Sequence, residues 1–215
     1  DTAYANENIS FEEKVFLETK AHRTEIFRRF FSFEDIRERA RKINEFHPDI
    51  TLIINYNVDE ANEGWKKPTD KNFVMTFVPG AFLHDEMEKK KDRIEFMRLV
   101  LTNDIENSIR LSEIMVNTFS EKLKVPIAKN SDAAYLNDFC LATNARGVYC
   151  RNLSLTRLVH GTLVYGETLY QDNVKEFYEL IKNDFTTDQI PTSKRVKEVA
   201  DSYYEGVLKF AATLK

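Results

Sequence analysis

The stretch Ile50-Thr51-Leu52-Ile53-Ile54-Asn55 (ITLIIN) decides how the rest of the chain is read. It is an almost unbroken apolar run rich in β-branched side chains, the pattern of a strand covered on both faces. Immediately upstream, Phe33, Ile36, Ala40, Ile43 and Phe46 recur at three- and four-residue steps. Ser32 followed by Asp35 has capping-box spacing, and Pro48 stops the pattern, so an amphipathic helix is predicted to feed the strand. Residues 14–20 (KVFLETK) carry the composition of a short strand, and residues 1–13 read as a loop.

Downstream the alternation continues. Residues 58–70 are turn-rich, and 72–78 (NFVMTFV) is a strand candidate closed by Pro79-Gly80. Two helices are predicted over about 85–101 and 104–124. In the second, Ile105, Ile109, Ser112, Met115, Val116, Phe119 and Leu123 share one face, and Pro126 ends it. Residues 127–146 read as loop with a short helix near 133–139. Residues 147–150 (GVYC) and 161–166 (GTLVYG) read as strands, and 173–184 and 191–210 as helices. Val196, Val199, Ala200, Tyr203, Val207 and Ala211 form the apolar face of the last. This order predicts an α/β fold of three layers, a mostly parallel or mixed central sheet with helices on both faces. The chain reads as one domain over 1–215, with a helical insertion over about 59–104.

Composition narrows the function. Of 215 residues, 42% are apolar and 31% charged, enough to bury a core and keep a charged surface. With 31 basic against 35 acidic residues, the chain lacks the basic excess of a nucleic-acid binder. No apolar run approaches the roughly 20 residues of a membrane span. Cys140 and Cys150 leave two options open, a disulfide in an oxidising compartment or two buried thiols. The sequence holds no CxxC, no HxxxH, no GxSxG, no P-loop and no GxGxxG. Its histidines, His22, His47, His84 and His160, are scattered, so no self-contained zinc site is written in it.

In open α/β sheets ligands gather outside the carboxyl ends of the strands. Two polar segments fall there: Asn55-Tyr56-Asn57-Val58-Asp59 after the ITLII run, and Glu167 to Asn173 after GTLVYG. A carboxylate at the end of a buried strand is desolvated, which raises its pKa toward the range useful for proton transfer. Glu167 is thus a candidate acid–base residue, with helix capping or ion pairing as the plainer alternatives. Arg146, Arg151 and Arg157 precede it, either as an anion site or as partners for surface acids. Tyr149, Tyr165 and Tyr170 are candidates for a sugar-binding cleft, with core or half-buried packing favoured for the first two.

The order of segments resembles the zinc-dependent N-acetylmuramoyl-L-alanine amidases, cell-wall hydrolases of the amidase-3 type. Their Arg-Ala-x-x-(Ala/Ile)-Asn helix is similar to Arg39-Ala40-Arg41-Lys42-Ile43-Asn44. Their strand ending in Ser-x-His-x-Asn is similar to Leu52-Ile53-Ile54-Asn55-Tyr56-Asn57, and a strand ending in Thr-Arg resembles Leu17-Glu18-Thr19-Lys20. The segment Leu163 to Asn173 resembles V-L-V-E-x-G-F-x-x-N, and Val199 to Val207 resembles the closing helix.

The resemblance implies that Glu167 is the catalytic glutamate beside a zinc-bound water. It implies that Asn57, Arg151, Arg157 and Asn173 bind substrate, and that the substrate is peptidoglycan, cut between N-acetylmuramic acid and L-alanine. A periplasmic or exported location follows. Two departures stand out. Asn55 occupies the position of a metal-binding His, and the Gly-His-Gly-Gly strand and first helix of the family have no counterpart, as if lost ahead of residue 1. The resemblance therefore implies an amidase-like hydrolase, with a degenerate, non-catalytic domain of the same fold that binds peptidoglycan or a regulatory partner as the alternative. A third reading is an unrelated metal-free α/β enzyme working through Glu167, Asp172 and a histidine such as His160.

Overall fold

The computed structural model describes residues 22–62, 64 and 66–214, so the strand expected at 14–20 lies outside the described residues. The chain forms two compact units, Asp1–Pro48 and Asp49–Lys215. In the first, helix α1 (Arg23–Arg29) runs through a π-helical turn, Phe30–Glu34, into α2 (Asp35–Phe46). The capping-box start expected at Ser32 is therefore corrected: the chain is already helical there, and the extra residue of a π turn keeps it continuous. His47, in the left-handed conformation (φ 51°), and Pro48 end α2 as expected.

The second unit is built on a five-stranded mixed sheet of order β1-β5-β2-β4-β3. Its strands are β1 (Ile50–Asn57), β2 (Met75–Val78), β3 (Cys140–Ala142), β4 (Val148–Arg151) and β5 (Thr162–Tyr170). The pairs β1–β5 and β2–β4 are parallel; β2–β5 and β3–β4 are antiparallel. Its helices are α3 (Lys90–Leu101), α4 (Asp104–Leu123), α5 (Ala134–Asp138), α6 (Ser154–Leu158), α7 (Val174–Leu180) and α8 (Lys194–Ala212). A hairpin, β6 (Phe185–Thr187) and β7 (Ile190–Thr192), precedes α8.

Period-two alternation sorts the strand residues onto two faces. One face presents Val74, Val78, Val148 and Val164 to Leu111, Met115 and Phe119 of α4 and Val199, Tyr203 and Phe210 of α8. The other presents Met75, Phe77, Tyr149 and Tyr170 to Leu136 of α5, Ala128 and Ala133. The result is the expected three-layer α/β fold. Two glycines set the spacing on the first face. A Cβ on Gly166 of β5 would meet the Tyr203 hydroxyl at 2.1 Å, and one on Gly206 of α8 would meet the Met115 sulfur at 2.3 Å. Bare backbone at these points lets α8 close on the sheet and on α4, and the Tyr203 hydroxyl donates to the Gly166 carbonyl (3.2 Å).

Several sequence expectations are corrected. The ITLIIN run is not covered on both faces, because Ile54 is 60% exposed; among the described residues β1 pairs with β5 alone. The helix expected from 191 starts at Lys194, with Ser193 as N-cap accepting from Val196 N, while Pro191 belongs to β7. The loop expected over 127–146 contains β3. The helix expected over 85–101 divides into a 3₁₀ turn, Asp85–Glu88, and α3. Cys140 and Cys150 are both free: β3 and β4 pair Leu141 with Cys150 and Cys140 with Arg151, which turns the two thiols to opposite faces.

Candidate active site

Strands β1 and β5 run in the same direction, and their register sets Asn55 beside Glu167 at their carboxyl ends. Beyond that pair the register slips, so that Asn57 faces Tyr170. A bulge of this kind re-aims side chains at the rim of a sheet. The Thr168 hydroxyl donates to the Asn55 carbonyl (3.2 Å), and Gln171 N donates to the Asn57 carbonyl (2.9 Å), which fixes the bulged backbone.

The side-chain geometry is specific. Asn55 Nδ2 donates to Glu167 Oε1 (3.1 Å) and to the Tyr165 hydroxyl (2.9 Å). Asn57 Nδ2 donates to the Tyr135 hydroxyl (3.0 Å), which in turn donates to the Met75 sulfur (3.3 Å). Met75 stands opposite Glu167 across the β2–β5 pairing, and Phe77 opposite Tyr165. Arg151 at the end of β4 lies over Phe77 and over Tyr135, with its guanidinium carbon 4.8 Å from each ring centroid.

Glu167 is 3% exposed, and its Oε2 has no hydrogen-bond partner. Burial pushes its carboxyl up to about 7, against the Asn55 hydrogen bond and the Arg151 charge, which both pull it down. Neither plain alternative applies to it: it caps no helix and forms no ion pair among the described residues. Burial likewise pushes the Tyr135 hydroxyl up to about 12 and raises that of Tyr165. At neutral pH the phenols around Glu167 therefore stay protonated, and its carboxyl lies near its midpoint.

Asn55, Asn57, Arg151 and Glu167 thus come together with Tyr135 and Tyr165. Arg157 and Asn173 are engaged elsewhere. Arg157 is buried, pairs with Glu86 (2.8 Å) and stacks on Phe82 at 5.0 Å, tying the 3₁₀ turn before α3 to α6. Asn173 caps α7, accepting from Lys175 N and Glu176 N. Asp172 binds Asp59 N and Asn62 Nδ2, beside a groove lined by Lys66, Lys67, Phe177 and Ile181, and His160 lies 3.7 Å from Glu95. The metal-free reading through Glu167, Asp172 and His160 is therefore corrected, since the three make separate contacts. Tyr149 is a core residue and Tyr165 is half-buried, both as expected, and Tyr170 is a core residue as well. Sequence reasoning missed Tyr135, because nothing in a loop-like stretch marks which residue the fold will bring under Asn57.

A zinc ion needs several anionic or imidazole donors converging on one point. Around Glu167 the neighbours are an amide, two phenols, a thioether and a guanidinium. This donor set does not fit zinc, and among the described residues no three His, Cys, Asp or Glu side chains come together.

No protein-family model and no curated protein matches the sequence. Solved structures do match the fold. The N-acetylmuramoyl-L-alanine amidase of Clostridium difficile 630 aligns with 82% of this chain and 65% of its own, at 15% identity and a TM-score of 0.51. The amidase Ami1 of Mycobacterium smegmatis aligns with 83% of this chain and 61% of its own, at 13% identity and a TM-score of 0.50. The chain thus has the α/β fold of the cell-wall amidases, and it spans less than two thirds of the length of either of these relatives.

Proposed function

We propose that this chain is a non-hydrolytic domain of amidase fold that binds peptidoglycan. The observation that carries the reading is the polarity of Asn55. By resemblance its position belongs to a metal-binding histidine, whose lone pair would face the metal. Here the amide turns its N–H groups toward Glu167 and Tyr165 instead. A donor in that place fills the site with the protein's own hydrogen bonds and turns no electron pair toward Glu167. Peptidoglycan lies outside the cytoplasmic membrane, so the reading carries an exported location with it. No helix among the described residues is long and apolar enough to cross a membrane.

A second reading, the hydrolase itself, is favoured by one observation: a buried carboxyl with a pKa of about 7 suits general acid–base work at neutral pH. Incubation with muropeptides and added zinc, followed by mass spectrometry, separates the two. The first reading expects intact muropeptides. Zinc-dependent release of free stem peptide, lost in Glu167→Ala with the fold intact, would establish the second. Asn55→His tests the assignment of that position directly, and zinc affinity is expected to rise in that variant.

A further inference from the structure

Two groups beside the carboxyl ends of β1, β4 and β5 lack partners of the kind their chemistry asks for. The Arg151 guanidinium is held on two aromatic faces, yet no carboxylate among the described residues lies within ion-pair distance of it. The contrast with Arg157, six positions on and paired with Glu86, shows that the fold supplies an acid to an arginine where it uses one structurally. Glu167 Oε2 is the second group, a buried oxygen without a hydrogen bond. An orphaned buried polar atom carries a desolvation cost that a bound donor recovers.

We propose that Arg151 is an anion-binding residue that holds a ligand carboxylate, while a neighbouring amide N–H of the same ligand donates to Glu167 Oε2. Ring contact on the Arg151 guanidinium leaves its N–H edge for a planar, bidentate partner, and a carboxylate matches that edge. A doubly charged phosphate meets stronger repulsion from Glu167 than a singly charged carboxylate does. The ligand class is therefore an N-acylated acidic residue or peptide end that carries both an amide and a carboxylate. This rests on the peptidoglycan reading only for the molecule that bears the carboxylate, which would be the stem peptide.

Calorimetric titration with a muramyl dipeptide carrying a free carboxyl, and with the same compound amidated there, tests the assignment. The wild-type chain is expected to bind the acid about tenfold or more tightly than the amide, the scale of one charge-assisted pair. Arg151→Met should erase that preference at unchanged circular dichroism, and Arg151→Lys should keep part of it. Glu167→Gln should weaken both compounds alike. Equal binding of acid and amide by the wild type, or a preference that survives Arg151→Met, overturns the proposal. If neither compound binds, the peptidoglycan reading fails on its own, and acetate becomes the probe. A saturable shift of the Arg151 Nε resonance then supports the anion site, and no shift overturns it.

Discussion

Glu167 concentrates the unusual energetics of this molecule in one carboxyl. Its usual pKa of 4.5 is raised to about 7 by burial, so between these values the folded state holds a proton that the unfolded chain has released. Its contribution to stability is therefore undiminished below pH 4.5 and falls as pH rises to 7, by about 3 kcal/mol in total. Glu167→Gln removes the ionisation and places an amide donor where Oε2 lacks a partner. Chemical denaturation from pH 5 to 8 should show the wild type losing stability with rising pH and the variant losing much less. Arg157 gives the opposite case. Arg157→Ala leaves Glu86 without its partner in a partly buried setting, and a loss of about 3 kcal/mol is expected at neutral pH, read from the denaturation midpoint. Of these residues, Glu167 could be singled out in the sequence by its place at the end of an apolar run, but capping and ion pairing stayed open until the fold showed neither. Arg151 and Arg157 could not be told apart there: Arg151 closes the strand and Arg157 comes six residues later, and only the fold shows which one meets Glu86.

At the scale of elements, β5 is the piece that makes the site. It lies between β1 and β2, carries Tyr165 and Glu167 on one face, and offers a bare backbone to Tyr203 on the other. Gly166→Ala would drive a methyl group into the Tyr203 ring, so it should destabilise by several kcal/mol. It should also shift the near-ultraviolet signal of the buried tyrosines. The β6–β7 hairpin turns at Asp188 and Gln189, with φ of 47° and 67°, a backbone that Asn-Gly adopts at lower cost. Asp188→Asn with Gln189→Gly should raise stability by about 1 kcal/mol. The sequence hid this hairpin because neither turn residue is glycine and its strands are three residues each. The long helices were legible because α4 repeats its apolar face over 20 residues. The exposure of Ile54 on β1 was not, since an apolar run reports burial tendency and says nothing of which neighbours are present.

At the scale of the whole chain, order of segments carried more than any single motif. A strand after a helix, a strand followed by an acid, and a closing helix with a small residue against the sheet are each common. Together they describe the layered fold that the solved amidases share at 13–15% identity. At the carboxyl ends of β1 and β5 an amide meets the Glu167 carboxyl, and the Arg151 guanidinium lies on two aromatic rings. The most direct measurement uses intact cell-wall sacculi, pelleted with the chain in the presence and absence of zinc, with the supernatant assayed for released stem peptide. The account predicts that the chain pellets with the sacculi in both conditions and that no peptide appears. Peptide released only with zinc, and not by Glu167→Ala, would contradict it.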